Sequence, residues 1–224
     1  MEQQKNIWYV TLLLTAIAGY CDTVTFVAAD AIFSAHVTGN FIVFAYQVAK
    51  GSDFQAWIKL LTFPVFIIAV ITGGWITLKS ANQQLLLLCQ GVIILLAGIL
   101  ACVFGLFSAS LHEWPVYLVT MLVVFGMGLQ NTFGKLFSKA TFGPTTMMTG
   151  NVTQASLDLG TYLRSGFKDI TASQNLRNQL ITLGGFLAGC LSGAVIAQQI
   201  GLSALLLPGV AMIICYFTTH KRGV

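Results

Sequence analysis

The sequence predicts an all-α fold, a polytopic bundle of seven or eight transmembrane helices with almost no soluble part. Hydrophobic residues make up 56% of the 224 residues and charged residues only 8%, and the mean hydropathy is +0.82. A soluble domain carries about 25% charged residues, because its surface faces water. The 18 formal charges (11 Lys and Arg plus 7 Asp and Glu) are too few for such a surface. The lipid bilayer is therefore the predicted surrounding of this chain.

The predicted spans follow from apolar runs, since a helix needs about 20 apolar residues to cross a membrane. In chain order the runs are 8–29, 31–49, 56–78, 85–107, 114–137, 144–163, 176–200 and 202–218. Gly201 and Pro208 leave the boundary between the last two runs open, so seven spans remain an alternative to eight. The first run is predicted to be an uncleaved helix, because the residues before it are not clearly basic.

Lys and Arg in the loops predict the orientation, because they concentrate on the cytoplasmic side. With eight spans, the side of the N-terminus holds eight of them: Lys5, Lys50, Lys59, Arg164, Lys168, Arg177, Lys221 and Arg222. The other side holds three: Lys79, Lys135 and Lys139. We therefore expect an inner-membrane protein with a cytoplasmic N-terminus.

An internal repeat predicts how the bundle is built. The triplet Thr38-Gly39-Asn40 recurs as Thr149-Gly150-Asn151, at an offset of 111, and Gly73-Gly74-Trp75 recurs as Gly184-Gly185-Phe186 at the same offset. Upstream, the segment ending in Asp22 resembles the one ending in Gln130-Asn131 at an offset of 109, which indicates a two-residue insertion near 142–144.

The chain is thus predicted to be one integral membrane domain of two repeats, 1–110 and 111–224. Four spans per repeat would give both copies the same orientation. Three spans, or a re-entrant segment, would invert one copy relative to the other. The sequence leaves both arrangements open.

The Thr-Gly-Asn motif interrupts an apolar run, where unsatisfied polar groups are costly. One interpretation is a broken helix, whose N-terminus points into the protein and offers free N–H groups to a polar or anionic ligand. The other is a continuous helix, in which Gly39 permits close packing and Asn40 bonds to a neighbouring helix. Either interpretation places both Asn side chains inside the bundle.

Helical spacing extends each motif into a polar stripe. Gln154 and Asp158 follow Asn151 at i+3 and i+7, and Gln47 follows Asn40 at i+7. Intramembrane carboxylates are rare and often mark ion or proton pathways. The predicted substrate- or ion-binding residues are Asp22, Thr38, Gly39, Asn40, Gln47, Gln130, Asn131, Thr149, Gly150, Asn151, Gln154 and Asp158. His36 is either a titrating group or a buried, hydrogen-bonded histidine.

These motifs resemble those of the YoaK-like family of small bacterial membrane proteins. The resemblance covers nearly the whole chain and includes Gly19-x-x-Asp22, the two Thr-Gly-Asn motifs and Gly128-x-Gln130-Asn131. The chain departs from the family at Ala35-His36, where an Asn-Met pair is more common. The resemblance implies a small-molecule permease without an established substrate.

We therefore predict a secondary transporter or facilitator for a small polar solute, coupled to protons through Asp22 or Asp158. The alternatives are a passive channel and a non-transporting scaffold or sensor subunit. The sequence has no nucleotide-binding, metalloprotease or serine-hydrolase motif, so we predict no enzyme activity and no cofactor. It has no basic stripe with interleaved aromatic residues, so we predict no nucleic-acid partner. It makes no prediction of the oligomeric state.

Overall fold

The computed structural model describes residues 2–51, 55–80, 82–107 and 113–220, and within these ranges it contains eight α-helices and no strand. In chain order the helices are α1 (Glu2–Ala28), α2 (Gly39–Ala49), α3 (Gln55–Lys79), α4 (Leu85–Phe107), α5 (Glu113–Leu136), α6 (Met148–Arg164), α7 (Ile170–Ile200) and α8 (Leu206–His220). A 3-10 turn, Gly201–Leu205, joins the last two. The turn at 108–112 and the C-terminal Lys221 and Arg222 lie outside the described residues.

Within the described residues, five stretches are long and apolar enough to cross a membrane, as in a multi-pass membrane protein: Ile7–Ala28, Gln55–Lys79, Leu85–Leu106, Trp114–Leu136 and Ile170–Thr218. The last has 49 residues and contains most of α7 and α8. The predicted count of seven or eight spans is therefore not confirmed.

The two predicted spans that carry Thr-Gly-Asn motifs differ from the prediction in the structure. Helix α2 has 11 residues. At a rise of about 1.5 Å per residue its length is about 16 Å, roughly half a membrane. Residues 31–38 of the predicted span are not helical. Helix α6 has 17 residues and begins at Met148, later than predicted. The broken-helix interpretation of the first motif is thus confirmed, and the continuous helix from residue 32 is wrong.

Helices α1 and α7 run in the same direction and touch backbone to backbone. A Cβ added to Gly189 would overlap the carbonyl oxygen of Ala16, and one added to Gly193 would lie 2.8 Å from that of Tyr20. The contact advances along both helices together, so they are parallel. Small residues at such positions let transmembrane helices approach closely.

Helices α3 and α5 form a second parallel pair. A Cβ added to Gly128 would lie 2.5 Å from Cβ of Ala69, and one added to Gly73 would lie 2.9 Å from Cγ2 of Thr132. Each parallel pair therefore joins a helix of the N-terminal half to one of the C-terminal half.

Helix α4 runs antiparallel to both α5 and α8. Against α8, a Cβ on Gly91 would lie 2.8 Å from Cβ of Met212, and one on Gly209 would lie 2.6 Å from Cα of Leu95. Against α5, Gln90 contacts Gln130 and, at the other end, the ring of Phe104 contacts that of Trp114. Two helices antiparallel to the same neighbour run in the same direction, so α5 and α8 point the same way.

The most enclosed spans are α1 and α5. In each, 61% of the most apolar window is buried inside the protein, compared with 17% in α3. Residues of α1, α4, α5 and α8 form most of the apolar core, among them Leu14, Val24, Ile94, Val123 and Met212. Three of the polar residues described next, Asp22, Gln130 and Asn131, lie on these two central helices.

Candidate functional site

Each half of the chain contains a non-helical segment followed by a helix shorter than the spans, with 11 residues in α2 and 17 in α6. Residues 32–38 precede α2, and residues 137–147 precede α6. In the first segment Asp30 contacts Lys59, near the start of α3, whereas His36 contacts Asp22, well before the end of α1. The chain therefore turns back toward the middle of α1 before α2 leads it out again. Such a re-entrant segment is tolerated at membrane depth only where protein or water satisfies its backbone.

Asp22 on α1 fastens the tip of the first re-entrant segment. Its Oδ1 accepts hydrogen bonds from the backbone N–H groups of Ala35 (2.6 Å) and His36 (3.3 Å). Its Oδ2 contacts Nδ1 of His36. Asp22 is 4% exposed. Hydrogen bonds to a charged group contribute about 1.5–3 kcal/mol each, so Asp22 is a main anchor of this tip.

Asn40, in the first turn of α2, ties the helix to the segment before it. Its Oδ1 accepts from the backbone N–H of Phe33 (2.8 Å), and its Nδ2 donates to the Phe33 carbonyl (2.8 Å) and to Oγ1 of Thr62 on α3 (3.0 Å). Asn40 is fully buried. It holds the re-entrant segment, α2 and α3 together.

The second half has related contacts, made by neutral groups. Asn131 accepts through Oδ1 from the hydroxyl of Thr146 (2.7 Å), and Asn151 donates through Nδ2 to the carbonyl of Pro144 (2.7 Å). Asn40 and Asn151 each reach back to a carbonyl at i−7. Ala35, which donates to Asp22, lies 13 residues further along the chain, whereas Thr146, which donates to Asn131, lies 15 residues further along. The difference of two equals the insertion that the sequence alignment requires.

A network of buried amides lies beside the second tip. Gln130 donates through Nε2 to the carbonyl of Leu14 (2.9 Å) and to Oγ1 of Thr145 (3.0 Å), and it accepts through Oε1 from Nε2 of Gln90 (2.6 Å). Gln130 and Gln90 are both fully buried. One side chain of α5 therefore joins α1, α4 and the second re-entrant segment.

A second contact fixes the second re-entrant segment to α1 and shows the direction of α5. The backbone N–H of Phe142 donates to Oγ1 of Thr11 (3.0 Å). Phe142 lies on the way from the end of α5 back to Thr145, whereas Thr11 precedes Leu14 on α1. The direction toward the end of α5 is thus the direction toward the start of α1, so the two helices are antiparallel.

An ion pair closes the outer end of the first re-entrant segment. Nζ of Lys59, a fully buried residue, lies 2.5 Å from Oδ2 of Asp30, and Nε2 of Gln47 donates to the same oxygen at 3.4 Å. Asp30 (φ 50°) and Ala31 (φ 57°) have positive φ values, which are uncommon for residues other than glycine. Strain of this kind persists only where surrounding contacts over-determine it. The contacts of Lys59 and Gln47 serve that purpose here.

The buried face of α6 carries Asp158, the second carboxylate predicted to lie inside the membrane. Asp158 is 8% exposed, its Oδ1 accepts from Nε2 of Gln154 (3.2 Å), and its Oδ2 is buried without a hydrogen-bond partner. Thr149 and Gly150, at the start of α6, are exposed. Among the described residues Asp158 forms no ion pair, so it is not tied to the nearby arginines.

The structure thus divides the predicted site residues into separate groups. Asp22 and Asn40 hold the first tip, and Gln130, Asn131 and Asn151 hold the second. Gln47 lies with Asp30 at the outer end of the first segment, and Gln154 lies with Asp158 on α6. No three His, Cys, Asp or Glu side chains in the described ranges come together as metal ligands would.

The expectation of free N–H groups at the start of α2 is wrong. The N–H groups of Gly39, Asn40 and Phe41 donate to carbonyls at i−3, at 2.8, 3.2 and 3.2 Å. Thr38 is at the N-cap but makes no capping side-chain bond. The ring of Phe33 lies 3.1 Å from where a Cβ of Gly39 would be. A tight turn therefore satisfies these donors before any ligand could.

Sequence reasoning also missed the Asp30–Lys59 pair and the Gln90–Gln130 contact. Lys59 is a cation inside an apolar run, which could have suggested a buried partner. The partner itself depends on where the chain turns back, which the sequence pattern does not show.

A family model described as "Protein of unknown function (DUF1275)" matches residues 10–218, and the chain belongs to this family. The match is consistent with the resemblance drawn from the motifs and assigns no function. No curated protein and no solved structure matches this chain.

Proposed function

We propose that this protein is a secondary transporter or facilitator that moves a small polar solute across the inner membrane. The observation that carries the proposal is the pair of re-entrant segments, each fastened by a polar side chain at matched positions of α1 and α5. Irregular backbone at membrane depth is tolerated where it is buried in protein or lines a water-filled cavity. Discontinuous helices in transporters supply the site near the midplane, at the interface of two repeats.

The two halves form an inverted repeat in this proposal. The corresponding helices α4 and α8 run antiparallel, and so do α1 and α5. The matched hydrogen bonds of Asn40 and Asn151 support the equivalence of the half-length helices α2 and α6. Each half then contributes three crossings and one re-entrant half-helix. The stretch Ile170–Thr218 has 49 residues. As a helix it would be about 70 Å long, more than twice a bilayer core of about 30 Å, so it provides two of the crossings.

This arrangement sharpens the predicted orientation. Leaving out both chain termini, the end of the bundle where α3 and α5 finish and α7 begins carries six cations: Lys79, Lys135, Lys139, Arg164, Lys168 and Arg177. The opposite end carries two, Lys50 and Lys59. Six against two favours a cytoplasmic location for the first end, where α1 also begins.

The residues proposed to face the solute path are those that hold the two tips and the carboxylate of α6. Amides and hydroxyls at both tips can exchange hydrogen bonds with a neutral polar solute. We propose protons as the coupling ion, because Asp22 and Asp158 lie inside the bundle, where carboxylates are rare and often functional.

A ligand screen tests the proposal even though the solute is not identified. The detergent-solubilised protein is heated with each member of a panel of small polar metabolites. A ligand that binds the folded state raises the unfolding temperature, by a stabilisation that corresponds to about 2.7 kcal/mol at 100 times Kd. Each hit is then offered to proteoliposomes, where uptake that saturates and responds to a pH gradient is expected.

Two variants test the role of the carboxylates in those proteoliposomes. Asp22→Asn and Asp158→Asn are each expected to weaken uptake or its dependence on the pH gradient. If both variants transport as the wild type does at every pH, proton coupling through these residues is wrong. Uptake without saturation would indicate a passive channel, and a panel without any ligand would favour a scaffold or sensor subunit.

A further inference from the structure

The tip of the first re-entrant segment contains a histidine that the function proposed above does not use. Nδ1 of His36 contacts Oδ2 of Asp22, and the His36 side chain is 37% exposed whereas that of Asp22 is 5% exposed. The imidazole packs between two aromatic rings, with centroid distances of 6.3 Å to Phe33 and 5.6 Å to Phe186 of α7. Of the two partners, the histidine is therefore the more exposed.

Both oxygens of Asp22 are already occupied as acceptors. Oδ1 holds the backbone N–H groups of Ala35 and His36, and Oδ2 holds the imidazole. A proton on either oxygen would displace one of these contacts. Because Nδ1 of His36 serves as the donor to Asp22, its Nε2 is the nitrogen that remains free to accept a proton.

We propose that His36 is the proton-binding group of this half-site and that Asp22 is its positioning residue. The proton adds to the lone pair of Nε2 and no other bond breaks. The net charge of the pair changes from −1 to 0, as an imidazolium–carboxylate pair forms. Only the identification of this proton with the coupling ion rests on the function proposed above.

Proton binding has a structural consequence at the tip. A hydrogen bond in which both partners are charged is stronger than one with a neutral donor. The protonated pair therefore holds the tip more tightly against α1, and loss of the proton leaves a buried anion with a neutral partner. Since the neighbouring carboxylate favours the protonated imidazole, the tight contact is present at low pH and loosens as the pH rises through the titration of His36.

No other described side chain competes for this role at the first tip. From α1 and α7, the thiols of Cys21 and Cys190 lie within electrostatic reach of Asp22, and thiols are mostly neutral near pH 7. In the other ion pair of the described residues, Lys59 and Asp30 are each other's charged partners.

The second half has no equivalent of this pair. Asn131 aligns with Asp22 and Met147 aligns with His36, and neither side chain titrates. At the tips, this change of charge is therefore specific to the first half, while the i−7 bonds of Asn40 and Asn151 are present in both halves.

Nitrogen-15 NMR of histidine-labelled, full-length protein in lipid nanodiscs tests the proposal directly. The chain has three histidines, His36, His112 and His220, so the His36→Gln variant identifies the signal of His36. In the wild type, Nε2 is expected to titrate while Nδ1 keeps its proton throughout. Asp22→Asn, which retains an acceptor for Ala35, is expected to lower the proton affinity of His36 at least about tenfold. Asp158→Asn removes a carboxylate elsewhere and is expected to leave it unchanged.

The proposal is overturned if His36 does not titrate between pH 4 and 9, or if Nδ1 is the nitrogen that loses the proton. It is also overturned if Asp22→Asn and Asp158→Asn shift the titration equally. The wild-type measurement alone decides the first two points, so an unstable variant does not remove the test. No solute is needed, so a failure of the transport proposal would leave this result intact, and the reverse also holds.

Discussion

The two re-entrant segments share part of their hydrogen-bond plan, the i−7 bond of Asn40 and Asn151, but one is anchored by a charged pair and the other by neutral groups. In the first, Asp22 and His36 hold the tip and Asp30 and Lys59 close the outer end. In the second, the corresponding anchor is the amide of Asn131, bonded to a hydroxyl. A tip in this fold can therefore be held either by a carboxylate or by an amide, and only the first tip combines this anchoring with an ionisable pair.

The largest expected effect comes from breaking the ion pair between Asp30 and Lys59, which has no counterpart in the second half of the described chain. Asp30→Asn leaves the ammonium of Lys59 fully buried and without a counter-ion, whereas Asp30 itself is 43% exposed. The expected cost is about 3 kcal/mol, the lower end of the range for buried pairs, because one partner is open to solvent. Thermal unfolding in a single detergent measures the loss. The double variant Asp30→Asn/Lys59→Met should recover most of it.

The second half supplies the control for this experiment. Ile170 occupies the position that aligns with Lys59 and is 73% exposed. Ile170→Met should therefore change stability by less than about 0.5 kcal/mol. An Asp30→Asn variant as stable as Ile170→Met would mean that Lys59 has another partner, and the ion pair would then not distinguish the halves.

A smaller difference is expected between the two motif asparagines. Asn40→Ala removes three hydrogen bonds, two to the backbone of Phe33 and one to the hydroxyl of Thr62, whereas Asn151→Ala removes one bond to an oxygen acceptor, the Pro144 carbonyl. At about 1 kcal/mol for each bond, Asn40→Ala should be the more destabilising by about 1–2 kcal/mol. Equal losses in thermal unfolding would contradict the unequal anchoring of the two half-helices.

The smallest effect is expected at the second intramembrane carboxylate. Oδ2 of Asp158 has no hydrogen-bond partner in the structure, so replacing the carboxylate with the isosteric amide removes a charge without breaking a described contact to that oxygen. Asp158→Asn should therefore unfold within about 0.5 kcal/mol of the wild type, or be more stable. A loss above about 1 kcal/mol, the usual worth of a hydrogen bond, would show that this oxygen is engaged in the membrane, as those of Asp22 are.

Much of this architecture could be predicted from the sequence, because composition and run length report directly on lipid contact. The offset of 111 between the Thr-Gly-Asn motifs aligns Asn40 with Asn151, and the two side chains make the same bond in the structure. The insertion near 142–144 agrees with the longer reach of Asn131. The break before Gly39 was one of two open interpretations.

The re-entrant turn and its contacts could not be predicted, because the length of an apolar run does not show where the chain turns back. Residues 31–38 continue the apolar run of a predicted span, so the sequence could not show that they lead back toward Asp22. The contacts of Asp30 with Lys59 and of Asp22 with His36 follow from that turn. The free N–H groups expected at Gly39 were wrong because a tight turn satisfies them locally, a detail of backbone dihedral angles that no composition reveals.

The most direct test of the inverted arrangement is the sidedness of two exposed lysines at the turns after the half-helices. Lys50→Cys and Lys168→Cys are introduced singly into a cysteine-free background and treated with a membrane-impermeant maleimide in intact and in inverted membranes. We expect Lys50→Cys to be labelled only from outside the cell and Lys168→Cys only from the cytoplasm. Labelling of both from the same side would fit eight full spans and would contradict the inverted pair of re-entrant segments.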